Sequence, residues 1–120
     1  MQAIYRTVSL AGLLLSLACV GSAAQVKGVL MDKMCSMEAA TKGQKFAASH
    51  ETKCALDGGA CQKSGYGVFT ADNKFLALDA VGNAKAVAAL KATKKTDNLL
   101  VTVEGDVQGD TIKVSSLKLQ

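Results

Sequence analysis

The sequence predicts a mainly β domain with one helix, an α+β fold of five strands with a long insertion after the first. Three observations point there. Short apolar or alternating segments recur at lengths suited to strands. An alanine- and lysine-rich stretch lies between the third and fourth of them. Turn residues sit where two of the pairs would fold back as hairpins. At 120 residues the chain has room for one domain of ordinary size.

Composition narrows the class further. Hydrophobic residues make up 49% and charged residues 20%, a balance that argues against wholesale disorder. Proline is absent, which excludes a proline-rich linker or a collagen-like segment. The net charge of +4 is mild and no basic run exceeds Lys94-Lys95, so no nucleic-acid partner is expected.

Residues 1–24 read as a secretory signal peptide. Arg6 precedes an apolar run from Val8 to Val20, and Ser22-Ala23-Ala24 supplies the small residues before a cut between Ala24 and Gln25. The run is shorter than the roughly 20 apolar residues that span a bilayer, so no membrane span is expected after cleavage. A lipidated Cys19 is the minor alternative, set back by the spacing of Ser16-Leu17-Ala18 before it. Residues 25–120 then form a single exported domain, periplasmic or extracellular.

The first strand is Val26 to Met31. An insertion follows from about Asp32 to Gly65, in which Met37 to Ala48 and His50 to Leu56 have room for a helical turn or two, and Gly58-Gly59 breaks any helix. Tyr66 to Thr70 and Phe75 to Leu78 form a hairpin about Asp72-Asn73. Gly82 to Lys91 is the helix, with Asn83 as its expected N-cap. Leu99 to Glu104 alternates, placing Leu99, Val101 and Val103 on one face. Thr111 to Leu119 alternates with a slip of phase between Ile112 and Val114 on one side and Leu117 and Leu119 on the other. A bulge at Ser115-Ser116 would reconcile the two pairs. Gly105, Gly109 and Asp110 are expected in the turn between these last strands. Five strands with a helix between the third and fourth match the order of an OB-like small barrel.

The chain also resembles a group of small exported bacterial proteins. The likeness runs from Gly28-Val29-Leu30-Met31-Asp32-Lys33-Met34-Cys35, through His50, Cys54 and Cys61, to Ser64-Gly65-Tyr66-Gly67-Val68-Phe69-Thr70. It closes on Val101-Thr102-Val103-Glu104-Gly105-Asp106 and Gly109-Asp110-Thr111-Ile112-Lys113-Val114. The Asp-x-x-Cys, His-x-x-x-Cys and Cys-x3-Gly-Tyr-Gly spacings are its more specific part. The resemblance implies an exported OB-like domain with a Cys/His insertion and no particular activity.

Any chemistry belongs to that insertion. Export places Cys35, Cys54 and Cys61 in an oxidising compartment, where one disulfide can form and one thiol is left over. Sequence leaves all three pairings open. Cys54–Cys61 closes the shortest loop, and so short a ring would contribute somewhat under about 3 kcal/mol. The leading reading is therefore a non-enzymatic binding or accessory module of the cell envelope, stapled by a disulfide, with an unidentified protein or small ligand as partner. The alternative is a soft-metal-binding protein. Cys35, His50, Cys54 and Cys61 add up to a set that suits zinc. Met34 and Met37 beside Cys35 add thioethers that suit copper. Catalysis lacks its signatures: no Cys-x-x-Cys pair, no Gly-x-Ser-x-Gly elbow, no phosphate loop and no His-Glu-x-x-His. Asp32, Asp57, Asp72 and Asp106 are expected in turns, where aspartate bonds locally.

Overall fold

A computed structural model describes residues 23–120. The expected signal peptide, residues 1–24, lies outside the described residues except for Ala23 and Ala24. The described chain is an α+β domain whose strands are β1 (Ala24–Asp32), β2 (Tyr66–Phe69), β3 (Phe75–Leu78), β4 (Leu100–Gln108) and β5 (Thr111–Leu119). They close into a ring in the order β1-β2-β3-β5-β4. All neighbouring pairs are antiparallel except β3 and β5, which run parallel through Ala77↔Thr111 and Leu78↔Ile112.

The ring encloses an apolar core of Leu30, Val68, Leu78, Leu90, Leu99, Val101, Val103 and Ile112. Alternation supplies it: Leu99, Val101 and Val103 all face inward, as their spacing predicts. The phase slip in β5 is resolved as expected. Glu104 pairs with Ser116 and Gly105 with Val114, so Ser115 is the extra residue of a bulge. Ile112 and Val114 are buried, and Leu117 and Leu119 pack against the same core from beyond the bulge.

Three expectations need correction. The helix between β3 and β4 spans Ala80–Ala92 and its cap is Asp79, not Asn83; the Asp79 carboxylate accepts from Gly82 N–H at 2.9 Å. Asn83 instead bridges elements, donating to the Leu78 carbonyl and accepting from Tyr66 N–H at 2.7 Å. Gly105 is not in the last turn but within β4, because a Cβ there would stand 2.3 Å from the Lys113 carbonyl oxygen. Gly109, with φ of 60°, makes the turn instead.

The largest difference is in the insertion. It contributes four helices: α1 (Lys33–Lys42), α2 (Gln44–Ser49), α3 (Thr52–Ala55) and α4 (Ala60–Lys63). With α5 (Ala80–Ala92) the described residues hold five helices rather than one. The insertion is structural for a simple reason. The burial of β1 stops alternating at Val29, and Val29, Leu30, Met31 and Asp32 are all buried. Leu30 faces the ring interior, whereas Val29 and Met31 meet Phe69, Ala39 and Ala47 in a second apolar cluster. That outer cluster is the underside of α1 and α2. Burying a side chain the size of Val, Met or Phe is worth about 1.5–3 kcal/mol, so covering this face offsets much of the cost of ordering the insertion.

Candidate metal centre

The two ends of the insertion are clamped together by the ring. Asp32 pairs with Tyr66 across β1 and β2, and Lys33 N–H donates to the Gly65 carbonyl at 2.8 Å. Asp32 ends its strand and turns the chain into α1, its carboxylate accepting from Cys35 N–H at 2.9 Å. Cys35 therefore stands one turn above the ring. Gly43, with φ of 86°, reverses the chain into α2. At the far end Ser64 donates to the Cys61 carbonyl at 2.7 Å and accepts from Met34 N–H at 3.3 Å, drawing α4 towards the start of α1.

Cys54 is placed from a third direction. Thr52, at the head of α3, donates through its N–H to the Thr96 carbonyl at 2.8 Å and through its hydroxyl to the Lys95 carbonyl at 2.7 Å. Asn98 N–H reaches back to the Ala48 carbonyl at 2.8 Å. The buried Tyr66 hydroxyl donates to the Ala55 carbonyl, pinning the end of α3 to β2. The segment after α5 and the first residue of β2 thus fix the helix that carries Cys54.

The outcome is a convergence of thiols from three helices. The sulfurs of Cys35, Cys54 and Cys61 all lie within 4.8 Å of one another. All three are half-buried free thiols, and none is bonded to another. Asp32, Cys35 and His50 form a second group within the same 4.8 Å limit, so Cys35 belongs to both. A depression of about 380 Å³, lined by Cys35, Glu38, Phe46, Ser49, His50, Glu51 and Cys54, opens beside them.

Placement differs from the sequence expectation in four respects. His50 and Cys54 do not share a helix: His50 follows the end of α2 and Cys54 sits within α3. His50 is grouped with Asp32 and Cys35 and not with the other two cysteines. Met34 and Met37 lie on α1 with 46% and 64% of their surfaces exposed. Asp32, expected to serve a turn, is fully buried at the centre of the arrangement. One signal for it was present: an aspartate between an apolar strand and a stretch with room for a helix is an N-cap pattern.

The Asp32–His50 contact is unusual in its alignment. His50 Nε2 lies 2.9 Å from Asp32 Oδ1, with both side chains almost wholly buried. Yet Asp32 Oδ1 and both ring nitrogens of His50 lack a partner in hydrogen-bonding alignment. Leaving a buried polar group in that state costs about 1–3 kcal/mol.

The field around the cluster disfavours additional negative charge. Burial alone would raise the Asp32 pKa, but contact with His50 and the N–H of Cys35 outweigh it and hold the carboxyl below its usual range. The thiols of Cys35 and Cys61 are pushed up, first by burial, then by the charges of Asp32 and Cys54. Tyr66 is raised too, by burial and then by Asp32 and Cys61. A thiol with a raised pKa is a poor nucleophile at neutral pH but remains a metal ligand, since a coordinating cation displaces its proton.

Comparison with family models, curated proteins and solved structures finds no match to this chain. Among the described residues no helix is long and apolar enough to cross a membrane.

Proposed function

We propose that this protein is an exported, non-enzymatic domain that binds a thiophilic metal ion through Cys35, Cys54 and Cys61. The observation that carries the reading is the approach of three free sulfurs, from three separately tethered helices, to within 4.8 Å of one another. Ligands each about 2.3 Å from a shared zinc ion would have separations of this order. Thiolates bind both zinc and Cu(I), and loading with each ion in turn separates the two. The strand order, with α5 between β3 and β4, supports reading the ring as an OB-like barrel that serves as scaffold. The raised thiols favour binding over nucleophilic catalysis.

Oxidation is the competing fate of the same sulfurs. One disulfide among them, with the third cysteine left as a thiol, would make the insertion a stapled accessory module. Mass measurement of the purified exported protein, native and denatured, with and without alkylation, decides. A retained ion with three alkylatable thiols after chelation supports the metal reading. A mass two hydrogens short, with one alkylatable thiol and no retained ion, overturns it in favour of the staple.

A further inference from the structure

We infer that the site takes two ions, the second held by Asp32, His50 and Cys35, with the Cys35 thiolate bridging it to the ion among the three cysteines. The inference deepens the proposed function and rests on it for the first ion only.

Three independent observations lead to it. First, the donors of Asp32, His50 and Cys35 lie within 4.8 Å of one another, and the Cys35 sulfur lies within the same limit of those of Cys54 and Cys61. A single ion at the centre of the three sulfurs would leave Asp32 Oδ1 and the His50 ring without a partner. Second, Asp32 Oδ1 and both nitrogens of His50 are buried without a directed partner. Buried polar atoms are rarely left so, and a cation between carboxylate and imidazole gives both an acceptor for their lone pairs. The 2.9 Å between Nε2 and Oδ1 suits two donors each about 2 Å from one ion. The other oxygen of Asp32 is committed to Cys35 N–H, which fixes the carboxylate for that role.

Third, charge compensation favours more than one ion. Three thiolates and one carboxylate carry four negative charges, with His50 neutral as a ligand. One divalent ion leaves two of those charges uncompensated in a half-buried pocket, and a second ion removes that cost. Two divalent ions neutralise the set. Oxygen, nitrogen and sulfur donors together suit zinc or a similar borderline cation rather than Cu(I), which prefers sulfur alone. The second ion is therefore divalent.

Native mass spectrometry of the fully reduced protein equilibrated with excess Zn(II) tests this directly. Two ions per chain are expected. Asp32→Asn keeps a capping oxygen for α1 while removing the charged ligand, and is expected to retain one ion, as is His50→Ala. Cys54→Ser with Cys61→Ser is also expected to retain one. A wild-type chain that saturates at a single ion overturns the inference irrespective of how any variant folds. If that single ion is lost with Cys54 and Cys61 but kept in Asp32→Asn, the three-cysteine site stands alone. A chain that takes up no Zn(II) overturns the two-ion inference, and one that also takes up no Cu(I) when loaded separately overturns both readings.

Discussion

Asp32 is the residue on which strand, helix and cluster meet. Its carboxylate caps α1 through Cys35 N–H and faces His50 with the other oxygen. Asp32→Ala removes both and is expected to cost about 2–3 kcal/mol, against about 1 kcal/mol for Asp32→Asn, which keeps the cap. Urea denaturation of the metal-free reduced variants measures the difference. Cys35, Cys61 and Tyr66 give a pH dependence of definite sign. Their folded pKa values lie above the unfolded ones, so the folded chain holds protons that the unfolded chain has already released. These three groups therefore contribute their full stability below about pH 8.5, and it is lost progressively as the pH rises through the thiol and phenol ranges. Denaturation midpoints between pH 7 and 10.5 should fall, and fall less in Cys35→Ser. The cysteine and histidine residues were legible in the sequence as a cluster by composition. Their partition into two groups was not, because it depends on Thr52 and Asn98 bonding to segments some forty to fifty residues away.

At the scale of elements, the strands were the readable part. Alternation in Leu99, Val101 and Val103 and the phase slip around Ser115 each carry a period that only one arrangement satisfies. Deleting Ser115 removes the bulge and turns either Ile112 and Val114 or Leu117 and Leu119 away from the core. The expected loss is about 3 kcal/mol, seen as a lowered thermal midpoint. Asp79 caps α5 and also accepts from Val114 N–H at 3.3 Å, so it joins that helix to β5. Asp79→Ala is expected to cost about 1–2 kcal/mol by the same measurement. The start of α5 was misread because asparagine and aspartate are both good caps and stand four residues apart. The insertion was illegible for a different reason. Helices of four to ten residues are marginal alone, and these exist because Val29, Met31 and Phe69 need covering.

For the whole molecule, the ring and the insertion draw on different sources of stability. The ring has a continuous apolar interior, whereas the insertion has a small outer cluster and three thiols aimed at one point. Removing metal with a chelator should therefore raise amide exchange across residues 33–63 and leave β4 and β5 nearly unchanged, as hydrogen-exchange mass spectrometry would show. Uniform protection with and without metal would count against the proposed centre. The pairing of β1 with β4 has a further consequence. Val26 meets Val103 and Gly28 meets Val101, contacts between the beginning and the last fifth of the chain. Sheet closure must wait until nearly every residue has been delivered, and a topology so rich in distant contacts folds slowly. The three thiols precede β4 in the chain, so each becomes available before the scaffold that aligns them exists. If the proposed centre and the competing disulfide draw on the same sulfurs, timing decides between them: oxidation before the first and fourth strands meet favours the staple, and earlier closure favours the metal site.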